Sequence, residues 1–253
     1  MQKTEWKILA IGNSFSQDAA KYLQPMAQSA GRDLKIVNLY IGGCPLEHHW
    51  NNASNDAPLY DHERNGAEAD RKCSIRQALQ EDGWDVVTLQ QASGDSGVKE
   101  SYEPYLRELS AYVKGLAPQA AQWIHQTWAY ESDSTHPHFS RYDGQEGMYQ
   151  ALRKCYSEAA SEIGAKIIPV GDVIQTLRGK KPFLYAEGGY SLCCDGFHLS
   201  LDYGRYAAAA TWLYKLTGIL PDESFRPFEG NTAETDVLAM IRSTIPSVCD
   251  AEQ

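Results

Sequence analysis

Short runs of apolar residues alternate with segments of helical spacing along most of the chain. The first run, residues 6–12, ends at a glycine, and helical composition follows from Ser16, a candidate N-cap, to about residue 30. Four more apolar runs cover residues 34–41, 84–90, 122–128 and 165–170. Helical patterns lie at residues 74–80, 101–115, 147–163, 172–178, 200–217 and 232–243. This alternation predicts a parallel sheet with helices on both faces.

Two stretches interrupt the alternation. Residues 45–71 and 130–144 are polar, rich in turn-forming residues and without periodicity. We predict long surface loops there, and such loops in compact domains often carry function. Pro169 in the last apolar run indicates a strand end or an edge strand. Because no repeat, linker or abrupt change of composition divides the chain, we predict a single domain over residues 1–253.

The composition is that of a globular protein and narrows the choice of partners. The net charge of −10 argues against nucleic acid or an anionic membrane as a partner. No apolar run approaches the roughly 18 residues of a membrane span, and no signal peptide precedes the first strand. We therefore expect a cytoplasmic protein as the chain is written, or a periplasmic or secreted one if a leader preceded it. The six cysteines lack a C-x-x-C pair, which favours reduced thiols.

Candidate catalytic residues stand where the predicted strands end. Ser14 lies between the first strand and the first helix, and Asp195 precedes His198 by three residues, just ahead of a late helix. A serine hydroxyl becomes a useful nucleophile when a neighbouring base accepts its proton and a third group orients that base. Taken singly, Ser14 and the D-x-x-H segment could each be only a helix cap. Together they favour a Ser-His-Asp arrangement at the carboxyl edge of the sheet.

A tetrahedral intermediate also needs hydrogen-bond donors for its oxyanion. The candidates are the backbone N–H groups of Ser14 and Gly43, together with an amide side chain that follows the third strand. We favour Gln91 for that side chain, with Gln90 as the alternative.

These motifs give the chain a resemblance to the SGNH/GDSL hydrolase superfamily. Within it, the chain looks most like a subgroup, described as a domain of unknown function, whose members open with G-N-S-F-S. Residues 11–16 match the first block, with Asn13 where Asp is commoner; residues 37–43 resemble the second block, and residues 195–198 the fifth. The third block differs, because residues 90–95 are Q-Q-A-S-G-D instead of G-x-N-D. Some carbohydrate esterases of the superfamily carry Q-G-E there, which supports Gln91.

The resemblance implies a fold, a reaction and a class of substrate. The fold is a three-layer α/β/α sandwich, flavodoxin-like, with a central and mainly five-stranded parallel sheet. The reaction is ester hydrolysis through an acyl-enzyme, with no cofactor and no metal. An O-acetylated carbohydrate is the preferred substrate, and the alternatives are a silent carbohydrate-binding relative and a lipid or acyl-thioester hydrolase. The partner is thus a small-molecule or saccharide ester, and no oligomeric state is predicted.

Several aromatic and histidine side chains are candidates for the substrate pocket. His48, His49 and Trp50 follow the oxyanion glycine, and Trp128 ends the fourth strand. They could form a stacking and hydrogen-bonding wall for a sugar, although a loop held by a buried Trp is an equally good interpretation. His136 and His138 lie in the second polar stretch and are expected to be solvated, without the spacing of a zinc site.

Overall fold

The computed structural model describes residues 5–69 and 71–251. The ends of the predicted domain, and residue 70 in the first predicted loop, lie outside these ranges. Seven strands form one sheet in the order β4-β3-β2-β1-β5-β6-β7. The strands are β1 (Glu5–Gly12), β2 (Asp33–Tyr40), β3 (Tyr60–Arg64), β4 (Lys72–Cys73), β5 (Val86–Leu89), β6 (Ala121–His125) and β7 (Lys166–Ile168). Five of them, β2-β1-β5-β6-β7, pair in parallel, whereas β3 and β4 join as an antiparallel extension.

The helices form two packed groups around this sheet. They are α1 (Ser14–Ala20), α2 (Leu23–Ser29), α3 (Leu46–Ser54), α4 (Ile75–Glu81), α5 (Tyr105–Leu116), α6 (Gly144–Ile163), α7 (Val170–Arg178), α8 (Gly204–Thr217) and α9 (Thr235–Cys249). Helices α1, α2, α7 and α9 pack on α8, and α3, α4 and α6 pack on α5. No helix in the described ranges has the length and hydropathy that a membrane crossing requires.

The predicted α/β/α architecture is confirmed, including all five parallel strands. Strand β7 lies at the edge of the sheet, as Pro169 indicated. Residues 130–144 are mostly irregular, with one 3-10 turn over Pro137–Arg141.

The prediction of a loop at residues 45–71 is wrong, since helix α3 and strand β3 lie within it. Two of the three buried positions of β3, His62 and Glu63, are polar, so the stretch shows no apolar period. His62 Nε2 lies 2.8 Å from Glu81 Oε2, and Glu63 accepts a hydrogen bond from Asn38 at 2.7 Å. These side chains are satisfied by residues distant in sequence, which allows the sheet to bury them.

The first helix is capped three residues earlier than predicted and is divided into α1 and α2. Its N-cap is Asn13, whose side chain accepts the N–H of Phe15 at 3.0 Å. Ser16 occupies the third helical position and accepts the N–H of Asn13 at 3.1 Å, which completes a capping box. Ser14 therefore starts the helix and is half-buried, at the point where β1 ends.

Candidate active site

The predicted acid and base are hydrogen-bonded in the loop before α8. Asp195 Oδ2 lies 2.7 Å from His198 Nδ1, and Asp195 Oδ1 accepts the backbone N–H groups of Phe197 and His198 at 3.1 and 2.7 Å. Partial burial acts to raise the pKa of Asp195, but the hydrogen bonds from His198 and Phe197 outweigh it and hold that pKa below its ordinary value. With Nδ1–H donated to the carboxylate, His198 presents Nε2 as its basic nitrogen.

The same loop lies against the start of α1. The ring of Phe15, the residue after Ser14, is centred 5.9 Å from the His198 ring. The described hydrogen bonds do not include a direct one between Ser14 Oγ and His198. Catalytic hydrogen bonds often form or tighten only when substrate is bound. The fold thus brings the predicted nucleophile and base to the same edge of the sheet.

Two backbone N–H groups, those of Ser14 and Gly43, are the predicted oxyanion donors. As the first residue of α1, Ser14 has an N–H without an acceptor inside the helix. Gly43 lies in a turn that the Cys44 N–H closes onto Ile41 O at 3.2 Å, and its φ of 63° favours glycine. In the described part of the chain, neither N–H has a hydrogen-bond acceptor.

A chain of buried amides connects the Ser14 turn to the Gly43 turn. His125 Nδ1 donates to Gln90 Oε1 at 2.8 Å, and Gln90 Nε2 donates to Asn13 Oδ1 at 2.8 Å. Asn13 Nδ2 then donates to Cys44 O at 3.1 Å. In this chain, the Asn13 side chain accepts from Gln90 and donates to Cys44 O. An aspartate at this position could not donate to Cys44 O. The Asn13 amide fixes the two turns relative to each other.

The structure corrects the prediction that Gln91 completes the oxyanion hole. The Gln91 side chain is fully buried, and its Nε2 donates to Ser101 O and Oγ at 2.8 and 3.0 Å. Its Oε1 accepts the N–H groups of Leu46 and Ala92 at 2.9 and 2.8 Å. Both amide hydrogens thus go to Ser101, after β5, while the amide oxygen holds Leu46, after β2. Gln90 is the amide that reaches the Ser14 turn, by way of Asn13.

Of the predicted pocket residues on α3, only His48 is exposed. The prediction for His49 is corrected, because it is fully buried, with Nδ1 2.8 Å from the hydroxyl of Tyr60. Trp50 is half-buried and packs edge-on against Tyr112, with the ring centroids 6.3 Å apart. Trp50 therefore fits the packing interpretation better than a sugar-binding one.

Trp128 is buried next to the candidate site and does not line a cleft. It has no exposed surface and stacks on Phe15, with ring centroids 4.3 Å apart. Its Nε1–H donates to Phe197 O at 2.7 Å. The prediction that Trp128 touches substrate is therefore corrected: it holds the residue after Ser14 and the residue before His198.

The second polar stretch forms a wall beside His198, which the sequence did not reveal. The His136 ring lies 5.0 Å from that of Phe197, and His138 Nδ1 lies 3.5 Å from Asp95 Oδ1. Both histidines are half-buried, and 39% of the His138 side chain is exposed, so they are only partly solvated. A Cβ on Gly94 would lie 2.3 Å from His138 Nδ1, so glycine is required for this approach. The sequence offered one indication of this wall, namely histidines that alternate with aromatic residues such as Tyr130 and Phe139.

Asp18, one helical turn after Ser14, is a further residue of the site that the sequence motifs do not identify. Its side chain is 2% exposed, and Oδ1 forms an ion pair with Arg205 at 2.7 Å. Its Oδ2 accepts the N–H of Leu199, next to His198, at 2.8 Å. The sequence feature that could have identified Asp18 is a carboxylate four residues after Ser14, on a helix whose other residues are mostly apolar or small. Nowhere in the described ranges are three His, Cys, Asp or Glu side chains grouped as metal ligands.

Two buried histidines predict how stability changes with pH. Burial lowers the pKa of both His49 and His125 to about 3, whereas an unfolded histidine titrates near 6.5. The unfolded chain therefore binds more protons between these values, and stability falls as the pH drops below about 6.5. The loss is up to about 1.4 kcal/mol per pH unit for each histidine. We expect His49→Asn to show a shallower fall in urea unfolding free energy between pH 6.5 and 5.

The comparison of variant with wild type isolates the histidine. Asp18 and Glu63, whose pKa values burial raises, contribute with the opposite sign in both proteins. Equal slopes in the two proteins would contradict the assignment of a neutral, buried His49.

Comparisons with known proteins identify the family and the fold. Residues 7–243 match the model of a family described as a domain of unknown function, DUF4886. A DUF4886 family protein from Bacteroides uniformis ATCC 8492 is 34% identical with a TM-score of 0.86, over 98% of this chain and 96% of that one. A putative SGNH hydrolase from Slackia heliotrinireducens is 21% identical with a TM-score of 0.57, over 85% and 99% of the two chains.

More distant structures share the fold. A catalytic mutant of an acetylxylan esterase from Geobacillus stearothermophilus is 14% identical with a TM-score of 0.54, over 91% of this chain and 100% of that one. The comparison with curated proteins gives no match. The family match covers nearly the whole chain, and the sheet order and helix layers are those of the SGNH hydrolase fold. The chain therefore belongs to the DUF4886 family, and its fold is that of the SGNH hydrolases.

Proposed function

We propose that the protein is a serine esterase in which Ser14 is the nucleophile, His198 the general base and acid, and Asp195 the residue that orients His198. The observation that carries this proposal is the His198 ring, bonded to Asp195 at 2.7 Å and packed beside the residue that follows Ser14. A serine at the start of a helix and an oriented imidazole at the same sheet edge supply the two groups that acyl transfer requires.

The reaction proceeds in two halves. Ser14 Oγ attacks the ester carbonyl while His198 Nε2 accepts its proton, and the resulting imidazolium protonates the leaving alcohol. A water, deprotonated by His198, then attacks the acyl-enzyme, releases the acid and restores Ser14. The backbone N–H groups of Ser14 and Gly43 hold the oxyanion in both halves. Gln90 replaces Gln91 as the side chain that supports this hole, because it bonds directly to Asn13.

An acetyl group on a carbohydrate is the substrate class that we propose. Two acetylxylan esterases have this fold, with TM-scores of 0.52 and 0.54. Aromatic side chains also border His198: the Phe197 ring lies 4.3 Å from it, and His136 packs on Phe197. Such rings can stack on a sugar face.

Labelling with a fluorophosphonate probe, followed by peptide mapping, tests the nucleophile. We expect one probe per chain, on the peptide that contains Ser14, because the probe reacts with serines activated by an adjacent base. Pre-incubation with acetylated xylo-oligosaccharide should slow the labelling. An unlabelled chain that binds saccharide in calorimetry would support the silent relative instead. Hydrolysis that rises with acyl length, measured on p-nitrophenyl esters, would favour the lipid or thioester alternative.

A further inference from the structure

The nucleophile and the base of the proposed site belong to segments far apart in the chain, and one buried carboxylate joins them. Asp18 lies on α1, one turn after Ser14, and its partner Leu199 directly follows His198. We infer that Asp18 is a positioning residue, which sets the distance between Ser14 and His198. This inference rests on the proposed function.

The other hydrogen bonds of the His198 loop do not reach α1, whose Phe15 contacts the loop only through ring packing. Asp195 is part of the same loop, so its bonds to His198 fix the ring within the loop only. Trp128 Nε1–H donates to Phe197 O, and the Glu131 N–H donates to Gly196 O at 2.7 Å. Both donors belong to the segment after β6. Among the described residues, the bond to Asp18 is the one hydrogen bond between α1 and residues 191–200.

The carboxylate is itself held in place by charge. Arg205, in the first turn of α8, pairs with Asp18 Oδ1 at 2.7 Å, which leaves Oδ2 to accept the Leu199 N–H at 2.8 Å. Burial raises the pKa of Asp18, while the Arg205 charge and the Leu199 bond oppose that shift. Asp18 thus fixes both ends of the segment from Leu199 to Arg205 against the helix that begins at Ser14.

Loss of this contact should slow the chemical step and leave substrate binding unchanged. A displacement of about 1 Å in catalytic geometry can cost roughly 100-fold in rate. Asp18 is buried and does not reach the surface at which an ester would bind. We therefore expect Asp18→Ala to lower kcat by roughly 10- to 100-fold with KM within about twofold of the wild type. Asp18→Asn keeps an oxygen acceptor for Leu199 and should stay within about fivefold in kcat.

Asp172 provides a matched control. It is also a buried aspartate beside an arginine, with Oδ1 3.6 Å from Arg153 Nε and 2.8 Å from the Tyr149 hydroxyl, but it lies on α7. The experiment measures kcat and KM for p-nitrophenyl acetate, together with amide hydrogen exchange, in the wild type and in the Ala and Asn variants at both positions. Faster exchange over residues 195–203 and a lower kcat in Asp18→Ala, but not in Asp172→Ala, would support the inference.

Other outcomes overturn it or separate it from the esterase proposal. An unchanged kcat in Asp18→Ala, a change in KM alone, or an equal loss in Asp172→Ala would overturn the positioning role. A wild type without turnover or labelling, together with faster loop exchange in Asp18→Ala, contradicts the esterase and leaves the contact established. If Asp18→Ala fails to fold, the Asp18→Asn variant provides the test. A loss of kcat above tenfold in Asp18→Asn, with amide exchange over residues 195–203 unchanged, would show that the hydrogen bond to Leu199 does not set the rate.

Discussion

Ser14→Ala and His198→Ala are each expected to lower kcat/KM for p-nitrophenyl acetate by at least roughly 1,000-fold. Without Oγ there is no atom to form the acyl-enzyme, and without the imidazole no group accepts the serine proton. Because the two residues act as one unit, the double variant should be little worse than either single variant. The measurement is steady-state hydrolysis at neutral pH, with far-ultraviolet circular dichroism to confirm folding.

Ser54→Ala is a suitable control, since Ser54 is exposed at the end of α3 and its hydroxyl donates to Asn51 O within the same helix. It should hydrolyse the ester at the wild-type rate. Equal rates in Ser14→Ala and the wild type would exclude Ser14 as the nucleophile.

Asn13→Asp is expected to lower kcat by roughly 10- to 100-fold and to destabilise the fold by about 1–3 kcal/mol. The relatives that this chain resembles often carry Asp at this position, so the change looks conservative. Here, however, Asn13 Nδ2 donates to Cys44 O at 3.1 Å in a fully buried site. A carboxylate has no donor for that carbonyl and would repel it. The Gly43 turn would then move away from Ser14, and the oxyanion would lose a donor.

Steady-state kinetics and urea unfolding of Asn13→Asp measure the loss of kcat and the loss of stability separately. Asn55→Asp is the matched control, because Asn55 also donates its amide to a backbone oxygen, Asn51 O at 2.8 Å, but at an exposed helix end. That variant should change the unfolding free energy by less than about 0.5 kcal/mol. Wild-type kcat in Asn13→Asp would contradict the role of the Asn13 amide in placing the Gly43 turn.

Local patterns predict the parts of this protein that depend on neighbours in sequence. The five parallel strands are apolar runs, of which β2, β1, β5 and β6 are largely buried. The D-x-x-H spacing alone places Asp195 within bonding distance of His198. The order of strand-end residues then locates Ser14. Fold, family and the proposed acid–base pair could therefore all be predicted before the structure.

The remainder depends on contacts between distant residues. Strand β3 was missed because Glu63 is buried by virtue of Asn38, a pairing that no local period encodes. Gln90 and Gln91 are adjacent, so their side chains leave the strand end in opposite directions, and only the packed sheet decides which one meets Asn13. Trp128 was misjudged for a similar reason, because its partner Phe197 lies 69 residues away.

The bond between Asp18 and Leu199 spans 181 residues, and this separation has a consequence for synthesis on the ribosome. At about 5–20 residues per second, α1 leaves the ribosome roughly 10–40 s before Leu199 follows. Helices α1 and α2 pack on β2 as well as on α8, so the part of each helix that contacts α8 remains uncovered during that interval. A nascent chain can therefore pair its early strands while it still lacks a reaction centre. Enzymatic activity would appear only when the last third of the chain docks, and a chaperone has that interval in which to protect α1.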